Sequence, residues 1–202
     1  MTVIEHEVRA AHNATLTTRQ RYPLSRQAYY ALADAGLFGD AQIELIEGDI
    51  IEMAPIGPPH ATINDPLTTL LKEAFGSGYT VRSQGPISIG TDAAASEPQP
   101  DVAVAIGFWR DYISRHPAAS EVKLVVEVAD STLAYDRSIK SALYAAAGIP
   151  EYWIVNLVDK QVEVLRKPSE AGYSEKTIYR VGDTIEPLST PGKFIALADF
   201  MP

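Results

Sequence analysis

Apolar residues recur along the chain in two rhythms, every second position or every third to fourth, and the switches between them mark out its elements. Residues 1–20 follow neither rhythm; they are polar and read as a loose arm ahead of one domain over 21–202. Ser25 is placed to cap a helix over 26–35, which Gly36 ends. Residues 43–53 read as two short strands turning around Glu47, Gly48 and Asp49. A loop at 55–59 leads to a helix over 61–75, with Ile63, Leu67, Leu70, Leu71 and Ala74 on one face. Pro66 falls inside that span, so either the helix kinks there or it begins there with Asp65 as its cap.

Strands follow at 79–84, 87–89, 102–106 and 122–129, with a loop over 93–100. A helix is expected over 136–147, closed by Gly148 and Pro150. Residues 151–155 and 162–165 form a hairpin turning near Asp159 and Lys160, and 173–179 with short segments to Phe200 add further strands. Few helices, many strands and one strand–helix–strand unit over 122–155 predict a mixed central sheet of the α/β (α+β) class.

Composition narrows the class. A chain of 202 residues, 46% hydrophobic and 21% charged, is ordinary for a soluble domain. No apolar run approaches the roughly 18 residues of a membrane span, and the first residues lack a basic stretch followed by an apolar one, so neither a membrane protein nor a secreted one is expected. The absence of cysteine excludes disulfides, thiolate zinc sites and cysteine nucleophiles, and fits a cytoplasmic protein. A net charge of -9 argues against a nonspecific nucleic-acid coat, which binds through many Lys and Arg contacts. It leaves room for an enzyme that meets DNA through one patch or through metal ions.

Two acids interrupt the apolar strands. Asp101 follows Pro100 and opens the run 102–106; Glu127 sits within 124–128. An ionised carboxyl in a buried strand is costly unless it is paired or bound to a cation. Alternation puts Lys123, Val125 and Glu127 on one face and Leu124, Val126 and Val128 on the other. On the following helix, Asp136, Lys140 and Tyr144 share a face. The plain reading of that spacing is a surface Asp136–Lys140 ion pair, worth about a few tenths of a kcal/mol. The sharper one brings the lysine over the two carboxylates, as in a hard-cation site with a charge stabiliser beside it.

The order Pro100-Asp101, then Val126-Glu127-Val128, then Tyr135-Asp136-Arg137 with Lys140, Tyr144, Ala145 and residues 148–155, resembles the PD-(D/E)XK, restriction-endonuclease-like nuclease superfamily. It is most similar to the bacterial branch of "putative restriction endonucleases", over residues 22–200. The resemblance implies a restriction-endonuclease-like core, a mixed central sheet flanked by helices, with additional C-terminal strands. It also implies a metal-dependent endonuclease acting on DNA with Mg²⁺ or Mn²⁺. Asp101 matches the metal-binding acid, Glu127 the second acid, and the Val128 backbone carbonyl a further ligand. Glu44 matches an upstream glutamate supporting a ligand water or a second ion, whereas Glu47 and Glu52 match less well. The superfamily's usual lysine falls two residues after the second acid, where this chain has Ala129, so Lys140 substitutes from the helix. Because two-strand cutters of this fold commonly dimerise, a homodimer is compatible with the resemblance.

Gln84, at a strand end, and His60, near a helix start, are secondary candidates; strand-end bonding and capping are the plainer roles. Tyr152 and Trp153 read as core. Arg82, Arg110, Arg115, Arg137 and Lys123 read as solvated surface that could contact phosphates. Two rivals stand beside the nuclease: a catalytically weak or inactive nuclease-fold module binding nucleic acid or a protein, and a metal enzyme acting on a small phosphorylated molecule. No Gly-rich phosphate loop supports the latter.

Overall fold

The period-two segments pair into one twisted sheet of six strands in the order β3-β4-β5-β6-β7-β8. They are β3 (Tyr79–Ser83), β4 (Val102–Ile106), β5 (Val122–Ala129), β6 (Glu151–Asn156), β7 (Gln161–Ser169) and β8 (Gly172–Arg180). The structure is a computed structural model that describes residues 22–91 and 95–201; the arm expected over 1–20 lies outside the described residues. β5 and β6 run parallel, joined by a helical crossover, and every other neighbouring pair in the sheet is antiparallel. A parallel pair needs such a crossover, whereas the antiparallel ones close with turns. The expected mixed sheet of the α+β class is what forms.

Helices cover both faces. Helix α1 (Arg26–Asp34) starts at Ser25, whose hydroxyl accepts from Ala28 N at 3.1 Å. Helix α2 spans Pro58–Phe75, three residues earlier than expected, because Pro58 and Pro59 fit the first turn, where N–H groups have no helical partner. It runs through Pro66 instead of starting there. Its buried Ile63, Leu67, Leu71 and Phe75 pack on Val102, Val104, Val126 and Val128 of the sheet. Helix α3 is continuous over three segments, Leu133–Tyr135, a π-helical turn Asp136–Lys140, and Ser141–Ala146. Its Leu143 and Tyr144 pack on the opposite face with Val125, Ile154 and Tyr152. Alternation along β5 thus divides the side chains between two cores, and Trp153 and Tyr152 are fully buried within them.

A hairpin of β1 (Ile43–Ile46) and β2 (Asp49–Glu52) pairs with the segment 95–97 ahead of β4 through Glu97 N to Leu45 O at 2.7 Å and Gly48 N to Ala95 O at 3.0 Å. Residues 87–89, expected as a strand, make only isolated bridges, Ser88 to Ala118 and Ile89 to Ser96, and part of the expected 93–100 loop is therefore paired. Short strands β9 (Thr184–Ile185) and β10 (Ile195–Ala196) close the C-terminal end. Among the described residues no helix is long and apolar enough to cross a membrane.

Candidate active site

Register sets the first two acids side by side. β4 and β5 pair Val102 with Val126, so one step along each strand Asp101 lies beside Glu127. Asp101 N donates to Glu127 Oε2 at 3.3 Å, and Val128 N donates to Asp101 Oδ2 at 2.8 Å. His60, in the first turn of α2, places Nε2 2.9 Å from the same Oδ2, so both of these bonds fall on one oxygen of Asp101. Its hydrogen bond to the Asp101 carboxylate raises the basicity of His60 against its burial. His60 Nδ1 is buried without a partner.

Helix α3 delivers the cation. Within its π turn the Ser141 N–H reaches the carbonyl of Asp136, five residues back, and Tyr152 OH donates to that same carbonyl at 3.2 Å. This widened turn, of a kind that often accompanies functional sites, buries both Asp136 and Lys140. Lys140 Nζ donates to Glu44 Oε2 at 2.7 Å and to Glu127 Oε1 at 3.3 Å, and Tyr144 OH donates to Glu127 Oε1 at 2.7 Å. The surface Asp136–Lys140 pair expected on helix spacing is therefore not what forms. Asp136 accepts from Thr132 Oγ1 at 2.7 Å, while Lys140 turns to acids 96 and 13 residues away. Glu44, on β1, also accepts from Gln99 N at 3.2 Å.

The electrostatics are strained toward too much negative charge. Burial pushes the Glu127 carboxyl up to about 8, against the pull of Lys140. Burial likewise raises Asp136 to about 6, against Thr132 and Lys140. Burial alone would lower Lys140, but Glu127 and then Glu44 outweigh it and hold the ammonium above the usual lysine range. These directions conflict within the Glu127–Lys140 pair, since a neutral Glu127 would cease to hold the lysine. The shorter contact to Glu44 decides for a charged amine, and Glu127 is the partner that gives up charge first. Among the described residues, four buried carboxyls, Glu44, Asp101, Glu127 and Asp136, thus lie around one ammonium and one imidazole, and the Asp136 carboxyl bonds only Thr132.

These groups line a cleft of about 780 Å³. Gln84 reaches it from just beyond β3, at a φ of 51°, with its N–H bonded to Asp101 O at 3.0 Å. Among the described residues no three His, Asp or Glu side chains form a ready cage for a metal ion. Mg²⁺ does not need one, since it commonly takes one or two carboxylates and keeps several waters. Hard oxygen donors, adjacent and short of counter-charge, suit such an ion.

The structure brings Asp101, Glu127, Lys140, Glu44 and His60 together, with Val128 and Gln84 lining the same cleft. Tyr144, Thr132 and Asp136 went unread as site residues; Tyr144 carried a signal, four residues beyond Lys140 on the same face. The arginines expected as free surface are mostly engaged: Arg115 pairs with Glu121, Arg137 with buried Glu163, and Arg82 bonds His116 Nδ1 at 3.2 Å.

The family described as "Uma2: Putative restriction endonuclease" matches residues 26–198. Among solved structures, that of "a putative nuclease belonging to DUF820" from Anabaena variabilis ATCC 29413 superposes with a TM-score of 0.64. It covers 88% of this chain and 97% of that one at 14% identity, a likeness of fold. No curated protein matches the chain.

Proposed function

The chain belongs to the Uma2 family, whose description is "Putative restriction endonuclease", and from that premise we propose that its cleft hydrolyses phosphodiester bonds of DNA with Mg²⁺ or Mn²⁺. The observation that carries the reading is the charge imbalance among the described residues: four buried carboxyls around one ammonium and one imidazole. Buried charge of one sign is tolerated where a cation arrives to neutralise it.

Asp101 and Glu127, with the Val128 carbonyl, would hold the ion, which when bound supplies Lewis-acid charge neutralisation at the phosphate. The oxygen of a water bonds to phosphorus as the P–O ester bond opposite breaks; the departing oxygen takes up a proton, and the water's proton passes to solvent. Lys140, kept as an ammonium by Glu127 and Glu44, has no lone pair to take that proton. Its part is positive charge beside the phosphate's developing negative oxygens. Glu44 fixes the lysine, Tyr144 fixes Glu127, and His60 fixes Asp101.

Plasmid and single-stranded DNA incubated with Mg²⁺ or Mn²⁺ test this directly. Cleavage should require the ion, vanish in Asp101→Ala, and fall about 10²–10³-fold in Lys140→Met, the effect of losing one stabilising donor. Cleavage that survives Asp101→Ala or proceeds in a chelator overturns the proposal. Binding of DNA without any cleavage favours a nuclease-fold binding module instead.

A further inference from the structure

One apolar part of the cleft lining takes no part in that chemistry. It comes from β2 and the segment after it: Ile51, Met53, Pro55 and Ile56. Ile51 packs against the core beneath it, but Met53 and Ile56 belong to none of the buried clusters, and Ile56 is 40% exposed. Gln42 and Gln84 line the same cleft, and neither carboxamide hydrogen-bonds within the described residues. The Tyr135 hydroxyl is buried there without a partner as well. The buried Tyr135 hydroxyl and the two exposed amides beside free apolar surface are groups that a ligand in the cleft can engage.

The cations are as informative. Of the described residues lining the cleft, Lys140 is the sole Lys or Arg, and both acids beside it already hold it. Proteins that grip duplex DNA do so largely through many Lys and Arg contacts to phosphates, and among the described residues this cleft offers Lys140 alone. It offers instead an apolar face and amide edges, which match the flat face and polar edge of a nucleobase. A base paired in a duplex has its faces covered by its neighbours and must leave the stack to use such a wall.

We propose that the Met53–Ile56 wall is a subsite for an unpaired nucleobase next to the scissile phosphate, so that single-stranded nucleic acid, or a single-stranded segment of a duplex, is the preferred substrate. This rests on the phosphodiesterase reading of the carboxylates. The base lies on Met53 and Ile56 with its edge toward Gln42 and Gln84. The Tyr135 hydroxyl gives the phosphate a neutral donor among carboxylates.

Two measurements separate this subsite from the chemistry. In the Asp101→Asn background, a single-stranded oligonucleotide carrying 2-aminopurine reports base binding by fluorescence. Ile56→Asp and Gln84→Ala, at exposed positions, should each weaken it, the former about tenfold, the order of one apolar side chain taken out of contact. Thermal melting checks that both variants fold. With the wild-type protein and Mn²⁺, single-stranded and flapped substrates should be cleaved at least about tenfold faster than intact duplex, on the same contact energy. Equal cleavage of duplex and single strand, with oligonucleotide affinity unmoved by Ile56→Asp, overturns the subsite and leaves the phosphodiesterase standing. No cleavage of any substrate, with 2-aminopurine binding that Ile56→Asp weakens, overturns the phosphodiesterase and supports the base subsite.

Discussion

One sheet carries two sets of buried acids that differ in how their charge is met. Along β6 and β7, Glu151 and Glu163 are fully buried, yet each has its own cations. Arg166 donates to Glu151 Oε1 from Nε at 2.9 Å and from Nη2 at 2.6 Å, with Trp153 Nε1 at 3.0 Å. Glu163 meets Arg137 and Lys176, and Asn156 Nδ2 at 3.0 Å. Three cations serve two acids there. At the junction of β1, β4, β5 and α3, among the described residues, Glu44, Glu127 and Asp101 share Lys140 and His60, and the Asp136 carboxyl beside them bonds only Thr132. Burial of a carboxylate is therefore not itself a mark of function in this fold. The mark is burial without enough positive charge, and it occurs where the cleft opens.

The largest effect that tests this contrast is on stability. Arg166→Met leaves Glu151 buried with only neutral donors, and removing one partner of a buried pair costs about 3–5 kcal/mol. Asp136→Asn in the other set should do the reverse. Its carboxyl is raised from 3.8 to about 6 by burial, and neutralising it removes an unfavourable charge, for a gain of about 1–3 kcal/mol at pH 8. Chemical denaturation of the two variants beside the wild type measures both. Destabilisation by Asp136→Asn would mean that the cleft acids are as well matched as Glu151.

Much of this contrast could not be read along the chain. Strand alternation did separate Glu127 from Val126 and Val128, because a period of two survives in any sheet. Helical spacing put Tyr144 with Lys140 for the equivalent reason. What the lysine bonds to is a different matter: Glu44 lies 96 residues away, and no local rhythm encodes that distance. The Asp136–Lys140 surface pair was the local answer, and the π turn with its bond from Tyr152 replaced it with a tertiary one. The partners of Glu151 and Glu163 likewise follow no local rhythm, since their arginines and lysine come from other elements. Residues 87–89 had strand composition but met only isolated partners, which composition does not specify.

Opposite pH dependence should follow from the same difference, with a smaller effect at any one pH. Asp136 has a folded pKa raised to about 6, so its contribution is fully present below 3.8 and is lost as pH rises through about 6; Glu127, raised as well, extends the decline upward. Glu163 is also buried, but Arg137 and Lys176 outweigh that and hold it down at about 2. Its contribution is present above 4.5 and is lost as pH falls through about 2. The unfolding free energy should thus fall on both sides of about pH 4. Asp136→Asn should flatten the neutral side and Glu163→Gln the acid side. Divalent cation, which favours ionised ligands, should also flatten the neutral side while leaving the acid side unchanged. A neutral limb insensitive to both Asp136→Asn and Mg²⁺ would remove the charge-imbalance argument.

The smallest expected effect sharpens the comparison within the cleft itself. Tyr144 is buried and donates to Glu127 Oε1 at 2.7 Å, sharing that oxygen with Lys140. Tyr144→Phe keeps the ring packed on Tyr152 and deletes only the hydroxyl. The lost bond costs about 1 kcal/mol of stability, somewhat more if Glu127 is ionised. Glu127 then keeps Lys140 and the Asp101 N–H but has lost the group that fixes its orientation. A merely structural tyrosine would lower stability alone. A positioning one should also lower kcat about tenfold, with KM little changed, the signature of an interaction made in the transition state. It should raise the Mn²⁺ concentration needed for half-maximal cleavage as well. Unchanged kcat and metal requirement in a destabilised Tyr144→Phe protein would place Tyr144 with Trp153, as a donor that satisfies a buried acid and does nothing more.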